Sequence, residues 1–204
     1  MIFSEVTLAP ADPILGLTDA FKADPRAHKV NLGVGIYKDE AGQTPVLNSV
    51  KKAEAILLET EKSKNYLGIE GVQAYNQVVQ GLLFGQDSPI ISDKRAATAQ
   101  APGGTGALRV AGEFIKRQLG DVKIWISNPT WANHNGVFTA AGIETAQYSY
   151  YNAETKDKDF DAMLNDLQAA SEGDIVLLHG CCHNPTGIDP TAEEWETLAK
   201  LVAE

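Results

Sequence analysis

From residue 96 onward the chain alternates between two hydrophobic patterns, and that alternation restricts the folds open to it. Residues 96–100, 123–127, 143–150 and 175–178 read as short strands. Residues 105–119, 133–141 and 160–170 repeat at helical spacing, as does a last stretch carrying Trp195, Leu198, Leu201 and Val202. Strands separated by helices pair in parallel, because a helical crossover returns the chain to the same end of the sheet. The expected class is therefore α/β, a mostly parallel sheet flanked by helices.

The earlier part of the chain follows another plan. Ala11-Asp12-Pro13 opens a helical pattern through Ile14, Leu15, Leu17 and Phe21, which closes before Pro25. Residues 30–36 are extended and glycine-rich. Residues 50–58 form an amphipathic helix with Ala53, Ile56 and Leu57 on one face, and 71–84 a further helix. A composition shift near residue 45 separates 1–45, an arm and part of a smaller domain, from 46–204, the first part of a large domain. Thr191-Ala192-Glu193-Glu194 reads as a capping box. The helix it opens meets no Gly, Asn or Pro before Glu204, so the chain is expected to be a fragment.

A formal net charge of −10 argues against nucleic acid and anionic membranes, since phosphate contacts need clustered Lys and Arg. No apolar run approaches the roughly 20 residues that cross a bilayer. Met1-Ile2-Phe3-Ser4-Glu5 lacks the basic and apolar regions of a signal peptide. The expected compartment is the cytoplasm. Cys181 and Cys182 are adjacent, so they give no disulfide framework and crowd too closely to share a metal; small buried thiols are expected.

Three turns carry the chemistry. Ala101-Pro102-Gly103-Gly104-Thr105-Gly106 follows a strand and opens a helix, where free N–H groups, a positive dipole end and the Thr105 hydroxyl suit an anion. Its spacing matches neither the dinucleotide fingerprint nor a P-loop. Ser127-Asn128-Pro129-Thr130-Trp131 places an indole at a strand end, where it either packs or stacks on a flat ligand. Asp174-Ile175-Val176-Leu177-Leu178 runs into His179-Gly180-Cys181-Cys182-His183-Asn184-Pro185-Thr186-Gly187. There the pre-proline Asn184 is kept out of the helical region. Parallel strands would bring the three turns to one sheet edge. An anion loop, a stacking ring and an amide donor together suit a planar, phosphorylated cofactor.

Six ordered motifs resemble the aspartate aminotransferase family of pyridoxal-phosphate enzymes, in its N-terminal half. They are Pro10-Ala11-Asp12-Pro13-Ile14-Leu15-Gly16, Asn31-Leu32-Gly33-Val34-Gly35-Ile36-Tyr37, Asn65-Tyr66-Leu67-Gly68, Pro102-Gly103-Gly104-Thr105-Gly106, Asn128-Pro129-Thr130-Trp131 and Cys182-His183-Asn184-Pro185-Thr186-Gly187. The resemblance implies that 46–204 begins a cofactor-binding domain. It implies that Gly104 and Thr105 hold the phosphate of pyridoxal phosphate, that Trp131 stacks on its ring, and that Asn184 donates to its phenolic oxygen. Trp131 and Asn184 would also lie near the substrate carboxylate. Gly35 would let the N-terminal segment close over that carboxylate, with Ile14 and Leu15 an apolar lip. Tyr66 would reach the phosphate of a neighbouring subunit in a homodimer. His134 and His183 would support the site from behind, His134 by orienting an aspartate at the pyridine nitrogen.

The implied reaction moves an amino group reversibly between aspartate and 2-oxoglutarate, giving oxaloacetate and glutamate. No lysine here has the family's Schiff-base setting, so that lysine is expected beyond Glu204, and the 204 residues alone are expected not to transaminate. Two alternatives stand: an aromatic-amino-acid aminotransferase, and a noncatalytic cofactor-binding fragment.

Overall fold

The computed structural model describes residues 15–31, 33 and 35–203, in two units, Met1–Asn65 and Tyr66–Glu204. The composition shift near residue 45 falls inside the first unit.

In the first unit, helix α1 (Leu15–Ala23) ends on a cation. The Lys29 ammonium donates to the carbonyls of Phe21 (2.7 Å) and Asp24 (2.6 Å) and lies 4.5 Å from the centre of the Phe21 ring. It satisfies carbonyls that the helix leaves free, at the end where the dipole favours positive charge. Helix α2 (Asn48–Thr60) forms where the amphipathic spacing predicts one, yet none of its residues is buried. Leu58 is 88% exposed, and Ile56 and Leu57 are exposed with it.

The second unit opens with α3 (Gln73–Phe84) and a short α4 (Pro89–Ser92). The sequence reading misses α4, although Ser88 caps it by accepting the Ile90 N–H and Pro89 stands in its first turn, a standard helix start. Residues 96–100, expected as a strand, are not one. A strand exists only through a paired neighbour, and no strand among the described residues pairs with this segment. Its backbone is tied instead to the turn before α3, through the Gln100 N–H donating to Glu70 O at 2.9 Å.

Helix α5 (Gly103–Leu119) is followed by β1 (Lys123–Asn128), α6 (Asn133–Ala140) and β2 (Glu144–Ser149). A two-stranded hairpin, β3 (Tyr151–Asn152) with β4 (Asp157–Lys158), leads to α7 (Phe160–Leu167), β5 (Ile175–Val176) and α8 (Ala192–Ala203). The main sheet has the order β2-β1-β5, all parallel. The α/β expectation holds.

Alternation along the strands builds two cores. On one face Ile124 and Ile126 of β1 pack with Phe138, Ala141 and Ile143, and with Leu108 and Ile115 of α5. On the other, Trp125 and Val176 pack with Tyr148, Tyr150, Met163, Leu167 and Leu198, so α7 and α8 cover that side. The α5–α6 layer is tight at Gly112, where a methyl group would sit 3.0 Å from the Ala141 Cβ and 3.5 Å from the Phe138 ring.

Central β1 is where the strand order reverses. The chain leaves β1 into α6 on one face and leaves β5 into α8 on the other. The two exits diverge and open a crevice at the carboxyl ends of β1 and β5, the position at which doubly wound sheets bind ligands.

Candidate functional site at the strand ends

Three histidines occupy the crevice. Ser127, the penultimate residue of β1, is buried, and its Oγ lies 2.9 Å from His183 Nε2. His183 Nδ1 lies 2.8 Å from Thr186 Oγ1. The His183 ring is stacked between Tyr150 (3.8 Å between centres) and His179 (4.3 Å). His179 in turn meets His134 edge-on at 5.3 Å, and His134 meets Trp131 the same way at 5.3 Å. Thr130 Oγ1 is 2.8 Å from His134 Nδ1. A continuous aromatic row thus runs from Tyr150 through His183, His179 and His134 to Trp131.

Burial dominates the electrostatics. It pushes the pKa of His134 and His179 below the ordinary value, and takes His183 down to about 4, with the charge of His179 acting in the same direction. The row is therefore neutral near pH 7. His179 Nδ1 accepts the Asn184 N–H at 3.0 Å. The proton of neutral His179 consequently sits on Nε2, facing Thr130.

The turn after β5 is held from both sides. Tyr150 Oη–H donates to Ile188 O at 2.6 Å. The Asp189 carboxylate accepts the His183 and Cys182 N–H groups at 2.8 and 2.7 Å, and these bonds hold its pKa below the usual carboxylate range. Asn184 is exposed at the tip, and Trp131 is half-buried. Cys181 and Cys182, expected to be buried, are both exposed. The backbone turns away from the core there, with Cys182 at φ 56°. Among the described residues no three of His, Cys, Asp and Glu converge as a metal site.

The glycine-rich turn opens α5 two residues earlier than its spacing suggests. Gly103 takes φ 70°, a left-handed conformation that costs glycine little, and no side chain of Pro102 caps the helix. Gly104 and Thr105 are exposed in the first turn, where N–H groups have no partner within the helix. Thr105 and Asn133 line the same groove, with Arg109, Gly136, Val137 and Ala140; its volume is about 350 Å³. The glycine-rich turn thus adjoins the helix that follows Trp131. Arg109 itself pairs with Glu113 at 2.5 Å.

Among the other expected site residues, Tyr66 is fully exposed in the second unit. Gly35 belongs to the first unit and is exposed there. Ile14 lies outside the described residues, and so does the side chain of Leu15. The reading by spacing did not single out His179, Asp189 or Tyr150. The available signal was position: His179 is the first polar residue after the β5 pattern, where an α/β sheet delivers side chains to its crevice.

The family model for class I and II aminotransferases matches residues 27–204. Over 203 residues the chain is 59% identical to the aspartate aminotransferase of Escherichia coli K12, covering 100% of this chain and 51% of that enzyme. It superimposes on an aromatic-amino-acid aminotransferase of Burkholderia pseudomallei, solved covalently bound to pyridoxal phosphate, with a TM-score of 0.94 at 47% identity; 100% of this chain and 51% of the other are covered. The cytoplasmic aspartate aminotransferase of Saccharomyces cerevisiae gives a TM-score of 0.90 at 38% identity, over 99% of this chain and 49% of that one. The chain spans about half the length of the relatives it matches. The chain therefore belongs to the class I and II aminotransferase family.

Proposed function

We propose that this chain carries the cofactor cradle of a pyridoxal-phosphate-dependent aspartate aminotransferase, which exchanges an amino group between aspartate and 2-oxoglutarate. The observation that carries the reading is the crevice itself. A half-buried indole and a presented carboxamide stand at the exits of neighbouring parallel strands, an uncapped helix N-terminus shares a groove with the helix that follows the indole, and the chain is 59% identical to an aspartate aminotransferase. The donor set fits the cofactor. A methyl group at Gly104 would meet nothing within 4 Å, so a phosphate has open access to the N–H groups of the first turn and to the Thr105 hydroxyl. Trp131 offers its ring to the cofactor's face, and Asn184 offers its amide to the phenolic oxygen.

Bound there, pyridoxal phosphate supplies an electron sink for the α-carbon of the amino acid. The chain's own residues bind and orient. Gly104 and Thr105 anchor the phosphate, while Trp131 and Asn184 fix the tilt of the ring and flank the substrate carboxylate. Neutral His134 and His183 hold these groups from behind without adding charge. Gly35, Ile14 and Leu15 serve substrate closure, and Tyr66 reaches the neighbouring site of a homodimer. A cytoplasmic enzyme fits the whole.

The test is an assay of the longer protein expected to carry this chain, since these 204 residues alone are not expected to transaminate, for oxaloacetate formed from aspartate and 2-oxoglutarate, followed by NADH consumption with malate dehydrogenase. Thr105→Ala should raise the pyridoxal-phosphate requirement about tenfold, the value of a hydrogen bond to a charged group. Absence of oxaloacetate would defeat the proposal. A second reading, aromatic-amino-acid aminotransferase, is favoured by the Burkholderia pseudomallei structure. Faster turnover of phenylalanine than of aspartate would select it.

A further inference from the structure

The turn that presents Asn184 holds a conformation its residues do not favour. Cys182 stands at φ 56°, left-handed and not glycine, a conformation that L-residues with a Cβ disfavour. Successive N–H groups around such a residue form a concavity suited to an anion. Here the anion is part of the chain. Asp189 Oδ2 accepts the Cys182 N–H at 2.7 Å, and Asp189 Oδ1 accepts the His183 N–H at 2.8 Å. The next N–H, that of Asn184, goes to His179 Nδ1 at 3.0 Å. Three consecutive amides thus have fixed acceptors, two of them on a single carboxylate. The Gly187 N–H closes the turn onto His183 O at 2.6 Å.

We propose that Asp189 is a positioning residue for Asn184: its carboxylate fills the concavity, fixes the backbone at Cys182 and His183, and so aims the Asn184 amide at the ligand. Asp189 itself need not touch the ligand. The inference rests on the cofactor reading for its consequence, but the clamp is read from bonds within the turn. Losing either acceptor frees the neighbouring amide and lets Cys182 relax toward φ below zero. Asn184 then enters a set of orientations of which only some donate to the cofactor.

The experiment is a double-mutant cycle with pyridoxal phosphate as the probe, using the full chain, Asp189→Ala, Asn184→Ala and the pair. Binding is followed by cofactor absorbance across pH, alongside amide hydrogen exchange without ligand. Each single variant should weaken binding about tenfold, one charge-assisted hydrogen bond. Each should also raise the pH at which the bound cofactor's phenolic group titrates, because both remove the same donor to the phenolate. The pair should be no weaker than Asn184→Ala, since both changes break one interaction. Asp189→Glu, which keeps two acceptor oxygens, should recover part of the effect. A loss of packing alone would leave the titration unmoved and would add in the cycle. Additive losses, or an unchanged titration in Asp189→Ala, overturn the proposal. If the unmutated chain binds no pyridoxal phosphate, the cofactor reading fails instead, and exchange decides the clamp. The Cys182 and His183 amides, which donate to Asp189, should exchange at least tenfold faster in Asp189→Ala, and equal rates sink the idea.

Discussion

Replacing His183 by glutamine should remove about 2.5 kcal/mol of the stability that the chain loses between pH 6.5 and 4.5. His183 is 2% exposed, stacked between Tyr150 and His179, and burial holds its pKa at about 4 against an ordinary 6.5. The unfolded chain binds this proton near pH 6.5 and the folded chain only near pH 4. Between the two, the unfolded state holds more protons. The stability linked to His183 is therefore fully present above pH 6.5 and declines as pH falls through that window. At roughly 1.4 kcal/mol per pH unit, the loss is about 1.4 kcal/mol by pH 5.5 and about 2.5 kcal/mol by pH 4.5. His134 and His179, also lowered by burial, add losses of the same sign. The Asp189 carboxylate, held below its ordinary 3.8, contributes only at more acid pH. Urea-unfolding free energies of both proteins at pH 7.5, 5.5 and 4.5 test this. Glutamine keeps hydrogen-bonding capacity but cannot titrate, so the readout is the pH dependence and not the absolute stability. If His183→Gln loses as much stability on acidification as the parent chain, His183 is not a buried neutral base and the reasoning fails.

Three further changes probe the frame around the site. Gly112→Ala puts a methyl group 3.0 Å from the Ala141 Cβ and should cost about 1–3 kcal/mol by overpacking, read as a lower urea midpoint at constant m; an unchanged midpoint would mean that the α5–α6 layer is looser than described. Thr191→Ala removes half of a reciprocal cap, in which the Glu194 N–H donates to Thr191 Oγ1 at 3.3 Å and the Thr191 N–H to Glu194 Oε2 at 2.7 Å. It should cost about 1 kcal/mol, measured in the same way. Leu58→Glu on α2 replaces a side chain that is 88% exposed and should shift stability by less than about 0.5 kcal/mol; a larger loss would show that the apolar face of α2 is covered.

What the sequence revealed depended on whether the cause was local. The period of β1 and β2, the capping box at Thr191 and the helix after the glycine-rich turn are set by neighbours within a few residues, and all appear close to their expected bounds. Residues 96–100 failed because a strand needs a partner, and spacing within the segment carries no information about one. The β3–β4 hairpin was missed because its turn lacks the usual Asn-Gly or Asp-Gly signal. Asn152 accepts the Glu154 and Thr155 N–H groups, and Lys156 takes the left-handed position at φ 56°. The cysteines were placed inside by their chemistry, but the turn they occupy is set by Asp189, several residues away.

The site divides in the same manner. Asn184 and Trp131 lie at the tips of turns anchored by bonds that close within the second unit, to His179, Asp189, Thr130 and Tyr150. Their positions follow from the strand order and need nothing beyond the β1–β5 crevice. Tyr66 is the opposite case, fully exposed in the same unit. Its side chain gains no packing from the described residues, in keeping with the proposed reach to a neighbouring site. The two kinds of residue should therefore respond differently to pyridoxal phosphate. Asn184 and Trp131 are largely preorganised, so binding should change their hydrogen-exchange or relaxation behaviour little. Tyr66 should become ordered only when a second subunit is present. Ordering of Tyr66 in a monomer, or large ligand-induced ordering of the Asn184 turn, would contradict this division.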